Sequence, residues 1–227
     1  METAGQGGPR DGPRDGVGQG ADRRPIAARD TGFANRLAAW LIARRASPNG
    51  ISGAGMVAGI LAGLALAGTA WLPEAARPLW LLGALLVQLR LLANLMDGMV
   101  AIGRGVASPV GELWNEIPDR VSDTATLLGL GVAAGSPAWG LAAALAAMST
   151  AYVRATGKAA GTPSDFRGPM AKQQRMALVT ALAVFCAVTP VAWHAPLHFW
   201  ALVVITALAA LTALRRLNGI AGKLRAR

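Results

Sequence analysis

The sequence predicts an all-α polytopic membrane protein, with six transmembrane helices and an N-terminal amphipathic helix at the membrane interface. Three observations predict it. Apolar residues make up 53% of the chain and mean hydropathy is +0.41, which is apolar for a soluble domain. Six apolar runs are each roughly 17–25 residues long, enough to cross a hydrocarbon core of ~30 Å. Lysine and arginine gather on alternate loops, as the topology of a membrane protein requires.

The elements follow in order. Residues 1–29 are rich in Gly, Pro, Arg and Asp and almost free of large apolar side chains. Such a segment buries too little surface to offset its chain entropy and is expected to be disordered. It also lacks the apolar core of a secretory signal. In residues 30–46, Phe33, Leu37, Trp40 and Leu41 recur at helical spacing, with Arg36, Arg44 and Arg45 elsewhere on the wheel. This predicts a juxtamembrane helix lying on an anionic surface. Ser47-Pro48-Asn49-Gly50 breaks it. A membrane domain over 47–215 then carries spans at Ile51–Trp71, Pro78–Ala101, Val110–Ala134, Trp139–Thr156, Met176–Trp193 and Leu197–Leu214, and residues 216–227 form a basic tail. In the first span, Gly55, Gly59 and Gly63 recur every four residues, a spacing that lets another helix approach closely.

The N-terminal region, the loops after spans 2 and 4 and the C-terminal tail hold nearly all the basic residues; the other three turns hold only Arg77. Both termini and the even-numbered loops are therefore expected on the cytoplasmic side of an inner membrane. Trp71, Trp80, Trp139, Trp193 and Trp200 fall at the opposite span ends and predict an outer aromatic belt. This distribution accounts for the net charge of +10 without nucleic acid. The single cysteine, Cys186, lies in an apolar run; it forms no internal disulfide and reads as a packing residue. His194 and His198 read as outer interfacial residues rather than ligands.

The acidic residues at membrane depth concentrate in one stretch, NLMDGMVAIGRGVASPVGELWNEIPDRVSD, from Asn94 to Asp123. Such residues are costly in a bilayer and mark function. Asn94 and Asp97 share one helix face; Asn115, Asp119 and Asp123 share a face of the next helix. A Gly-rich turn between these helices lets Asn94, Asp97, Asn115 and Asp119 converge. Their carboxylate and amide oxygens suit a hard divalent cation, Mg²⁺ or Mn²⁺. Gly98, Gly103 and Gly105 leave backbone amides open to phosphate, and Gly111 leaves room against the third span. Pro118 should loosen the helix before Asp119; alternatively the helix starts near Pro118, with 103–117 as loop. In the loop after span 4, Arg154 and Arg167 are candidate ligands of an acceptor alcohol that carries phosphate. Arg215, Arg216 and the other C-terminal cations read as headgroup contacts.

This stretch resembles the signature of the CDP-alcohol phosphatidyltransferase family: an Asp, three residues later DG-x-x-AR, then eight residues, then G-x-x-x-D-x-x-x-D. Asp97, Gly98, Ala101, the eight-residue spacer, Gly111 and Asp119 match it. Asn94, Asn115 and Ile102 stand where the family has Asp, Asp and Arg. Ser47-Pro48-Asn49 with Ile51-Ser52 is similar to the family's PN-x-(I/V)-T run before the first span, and Tyr152-Val153-Arg154-Ala155 to its fourth-span ending. The resemblance extends over about residues 30–215.

The resemblance implies transfer of a phosphatidyl group from a CDP-linked lipid, such as CDP-diacylglycerol, to an alcohol acceptor with release of CMP, in phospholipid biosynthesis. The lipid would enter sideways from the cytoplasmic leaflet. It implies a divalent metal at Asp97, Asn94, Asn115 and Asp119, with Asp119 also the base that takes the hydroxyl proton. It implies CDP or phosphate contacts at Gly98, Ala101, Gly111, Asn49 and Ser52, with Arg104 in place of the missing arginine, and a homodimer. Glu112, Glu116 and Asp123 are candidates to restore the charge lost at Asn94 and Asn115. Two other readings stand beside this one: a degenerate member that binds nucleotide-lipid or a partner without turnover, and a small lipid or solute transporter.

Overall fold

The computed structural model describes residues 31–226. The tail expected over 1–29 lies outside the described residues. Among these residues the fold is all-α, without a strand. The helices are α1 (Gly32–Ala43), α2 (Pro48–Trp71), α3 (Ala76–Gly103), α4 (Pro109–Ala133), α5 (Pro137–Ala159), α6 (Lys172–Val188) and α7 (Ala195–Arg225), with 3-10 turns at Pro73–Ala75 and Val191–Trp193. By length and composition α2, the stretch Pro73–Gly103 and the stretch Val191–Arg225 can each cross a membrane.

Helix ends follow local chemistry. Ser47 and Ser108 accept the Gly50 and Gly111 amides and so cap α2 and α4, and each helix then opens on proline, which lacks the amide a first turn cannot use. Gly105 ends α3 at φ +63°, and the Val106 amide returns to the Ala101 carbonyl at 3.0 Å, a Schellman closure. The α4 helix begins at Pro109 and continues through Pro118, so the alternative start near Pro118 is not adopted. The loop expectation failed because Ser108 supplies an earlier cap.

In the helix packing, α2 lies on α3 and α4, α3 on α6, α4 on α5, and α5 on α7. The core holds Leu66, Val87, Leu127, Leu130, Met176 and Leu202. The small-residue seam of α2 serves this bundle. A Cβ on Gly59 would come within 2.4 Å of Ser122, and one on Gly63 within 2.2 Å of the Ala125 carbonyl oxygen. Outward, Leu64, Leu85, Leu145 and Leu214 are exposed, as on a surface solvated by lipid.

Four expectations change. Ala34 and Ala38 of α1 are buried with Met96 of α3, and Leu37, Leu41, Leu92 and Leu95 pack around them, leaving Phe33 and Trp40 exposed. A Cβ on Gly103 would strike the Ile42 side chain at 2.4 Å, so that glycine serves the α1–α3 contact rather than a phosphate. Residues 216–225 continue α7 instead of forming a tail. Within that stretch Arg216 is buried and donates to the Arg167 and Thr150 carbonyls at 2.9 and 2.8 Å; its position on the inward face of α7, rather than its charge, decides that role. Trp71, Trp139, Trp193 and Trp200 are exposed, but Trp80 is 2% exposed and lies inside the bundle.

Substitution at Gly63 tests the seam. Gly63→Ala should lower the melting temperature in detergent, by overpacking worth about 1–3 kcal/mol. Gly53→Ala, where a Cβ meets nothing within 4 Å, should leave it unchanged or raise it. Equal responses of the two variants would contradict the close approach.

Candidate active site

One face of α3 carries Arg90, Asn94 and Asp97, spaced i, i+4, i+7. Facing it, α4 carries Asp119 and Asp123 one turn apart, the first turn of α6 carries Lys172 and Arg175, and the second turn of α2 carries Ser52. The side chains meet in a buried network. Arg90 Nη2 lies 3.1 Å from Asp119 Oδ1 and 2.5 Å from Asp123 Oδ1. Asn94 Nδ2 donates to Asp119 Oδ1 at 2.5 Å, and Lys172 Nζ to Asp119 Oδ2 at 2.5 Å. Arg175 pairs with Asp123 Oδ2. Arg90 and Arg175 are each 1% exposed. Buried charges are stable only when paired, and here the cations Arg90, Lys172 and Arg175 balance the acids Asp97, Asp119 and Asp123.

Asp97 differs from the other acids. Ser52 Oγ donates to its Oδ2 at 2.6 Å, while Oδ1 is buried and has no hydrogen-bond partner. An orphaned carboxylate oxygen is what a hard cation satisfies. The Asn94 amide oxygen, on the same helix face, is a second donor of the right kind. Asp119 already receives Arg90, Asn94 and Lys172. The residues therefore fit a divalent ion held from the Asp97 side, with fewer protein charges than four carboxylates would supply.

The other expected site residues divide. Ser52 joins the cluster through Asp97. Gly98 faces open space, since a Cβ there would meet nothing within 4 Å. Ala101 and Gly111 are half-buried near it in sequence, and Asn49 is half-buried in the first turn of α2. Asn115 is exposed and has no described bond to the cluster. Arg104, expected on a phosphate, instead donates to the Arg45 and Ala46 carbonyls at 3.2 and 2.6 Å, in the turn that follows α1. Arg154 donates to Glu116 Oε1 at 2.5 Å and lies over the Phe166 ring at 5.5 Å. Arg167 pairs with Asp165 at 2.7 Å. Its side-chain hydrogen bond, above all, holds the Asp165 carboxyl below its ordinary value, and raises its own.

Sequence reasoning missed Arg90, and it missed Lys172 and Arg175 as partners of the acids. Arg90 was detectable: it is a charge inside the apolar run LLVQLRLLANLMDG, in helical phase with Asn94 and Asp97. Lys172 and Arg175 were masked by the general excess of cations in their loop.

No family profile matches the chain. Individual proteins do. Phosphatidylinositol phosphate synthase of Mycobacteroides abscessus is 31% identical over 180 residues, which cover 75% of this chain and 76% of that protein. Archaetidylinositol phosphate synthase of Aeropyrum pernix is 33% identical over 116 residues, 48% of this chain and 60% of that one. Among solved structures, phosphatidylinositol phosphate synthase of Mycobacterium tuberculosis with CDP-DAG bound superposes with a TM-score of 0.69 at 21% identity, covering 84% of this chain and 94% of that one. The same protein with manganese and citrate also gives 0.69 at 21% identity, over 82% and 88% of the two chains. These superpositions establish a common fold.

The ion network predicts an asymmetric response to mutation. Asp123→Ala removes the carboxylate paired with buried Arg175 and leaves Arg90 with Asp119, and should destabilise the protein by about 3–5 kcal/mol. Arg167→Ala removes an exposed cation from a buried Asp165 and should cost less, about 1–3 kcal/mol, the range for a buried polar group that loses its partner. Unfolding curves in detergent measure both.

Proposed function

The chain belongs to the CDP-alcohol phosphatidyltransferase family, and from that premise we propose how its residues carry out the reaction. The enzyme transfers the phosphatidyl group of a CDP-linked lipid to an alcohol and releases CMP, a step of phospholipid biosynthesis that uses a divalent metal. Asp97 and Asn94 hold that metal, with Asn115 and Asp119 the further candidate ligands carried by the signature. When bound, the ion neutralises charge on the diphosphate and so favours departure of CMP. Asp119 accepts the proton of the attacking hydroxyl. Arg90 and Asn94 orient its carboxylate from one side and Lys172 from the other. Gly98, Ala101, Gly111, Asn49 and Ser52 line the nucleotide-lipid side. The observation that carries this reading is the partnerless Asp97 oxygen beside Asn94 and Asp119, at the spacing of the family signature.

The acceptor is an alcohol bearing phosphate. Arg154 and Arg167 are its ligands, and its phosphate competes with Glu116 and Asp165 for them. The six helices α2–α7 span an inner membrane, with both termini and the site on the cytoplasmic side and α1 at the interface. The basic chain ends and the exposed Trp71, Trp139, Trp193 and Trp200 support that orientation, and the exposed Phe33 and Trp40 support an interfacial α1. The working unit is a homodimer. Acids gathered at one end of two neighbouring helices favour a reaction site over a transport path. A second reading, nucleotide-lipid binding without turnover, is favoured by one observation: Arg90 and Lys172 already neutralise Asp119.

Asp119→Asn distinguishes the two. It should reduce CMP release from CDP-diacylglycerol by about 10²–10⁴-fold, the range for loss of a general base, while CDP-lipid binding stays near wild type. Unchanged turnover removes Asp119 from the role of base; no turnover in the wild type with binding intact selects the second reading. Asn94→Asp restores a charge beside Asp97 and should tighten Mn²⁺ binding in a direct titration. Weaker Mn²⁺ binding would exclude Asn94 from the ligand set.

A further inference from the structure

The opposite end of α6 brings together a second group of polar side chains. The helix stops at Thr189-Pro190, and the 3-10 turn Val191–Trp193 folds the chain back, so that His194 caps α7. His198 follows one turn later. Cys186 comes from α6. All three are buried, at 0%, 5% and 6% exposure, contrary to the expectation of interfacial histidines. The turn puts them inside because it directs the first turn of α7 against α6 and Trp80. One ligand atom from each lies within 4.8 Å of the others, and Cys186 Sγ is 3.1 Å from His198 Nε2. Cys186 is 11 residues beyond Arg175, about 16 Å along the helix axis, so this cluster is separate from the acids.

The surroundings are those of a ligand set. His194 Nε2 lies 3.2 Å from the Thr189 carbonyl oxygen. A carbonyl only accepts, so Nε2 carries the proton and Nδ1 keeps the lone pair. Histidines that bind metal are oriented in this way by a second hydrogen bond. The Trp80 ring covers His198 at 4.9 Å between centroids. Tetrahedral bonding to one sulfur and two nitrogens needs ligand separations of about 3.4–3.6 Å, within reach of side-chain rotation from the observed spacing.

We propose that Cys186, His194 and His198 form a site for a borderline-soft transition-metal ion, Zn²⁺ above all, with a fourth position left for water or another ligand. Thiolate with imidazole selects such an ion over Mg²⁺ or Mn²⁺, which prefer oxygen. On binding, the Cys186 thiol loses its proton to solvent as the sulfur–metal bond forms. The ion would fasten the α6–α7 turn, away from the reaction.

Co²⁺ titration of the purified full chain in detergent tests this. Cys186 is the only cysteine, so a near-ultraviolet thiolate-to-cobalt band reports this site alone, whatever the acids bind. One equivalent should produce the band, and Zn²⁺ should displace it. Cys186→Ser should abolish it, and His198→Gln should weaken Co²⁺ binding at least about tenfold. Zn²⁺ should raise the melting temperature of the wild type but not of Cys186→Ala. Absence of the band in the wild type, or an equal Zn²⁺ shift in Cys186→Ala, overturns the site.

Discussion

Arg90 of α3 lies between Asp119 and Asp123 of α4, and the arrangement of α3, α4 and α6 depends on that one buried guanidinium. Two charges about 4 Å apart attract by about 4 kcal/mol at an effective dielectric of 20, and desolvation takes much of this back. The network therefore specifies register more than it adds stability. It requires Arg90 to face α4 and Asp123 to face Arg175 on α6. With that phase set, Asn94 and Asp97 on α3 must face Asp119 and Ser52. The functional cluster follows from the constraint that positions the helices.

The same network bears on how this chain handles charge. Asn94 and Asn115 remove two negative charges from the signature, and Arg90 and Lys172 bring two positive charges onto Asp119. Asp97 Oδ1 is a buried carboxylate oxygen without a hydrogen-bond partner, whereas Asp123 Oδ1 lies 2.5 Å from the Arg90 guanidinium. Under the proposed function such a site would hold metal chiefly from the Asp97 side, with the Asp119 carboxylate held by Arg90, Asn94 and Lys172. Glu116 does not compensate for the lost acids, because Arg154 and Arg120 hold it.

Much of the fold was legible in the sequence. The apolar runs located α2 to α5 within about three residues at each end, since hydrophobic length and proline starts are local signals, whereas α6 stops at Val188 and α7 runs on to Arg225. The α2 seam was legible because Gly55, Gly59 and Gly63 recur at one spacing. Helical period paired Asn94 with Asp97 and Asp119 with Asp123, but it also put Asn115 on the face of Asp119, and Asn115 is exposed. What escaped depends on which face meets which. Arg216 looked like any tail cation until α7 continued and turned it toward Thr150. Arg104 went to the carbonyls of the turn after α1, a partner distant in sequence. His194 and His198 stand one helical turn apart, but Cys186 reaches them only through the turn between α6 and α7, which no spacing in the sequence announces.

Phosphatidyl transfer at the cluster of α3, α4 and α6 is tested most simply by supplying the purified chain, in lipid nanodiscs, with CDP-diacylglycerol, Mn²⁺ and a panel of phosphorylated alcohols. CMP and a new phosphatidyl ester should appear in equal amounts with at least one acceptor. Bound CDP-diacylglycerol with no CMP released for any alcohol would contradict it.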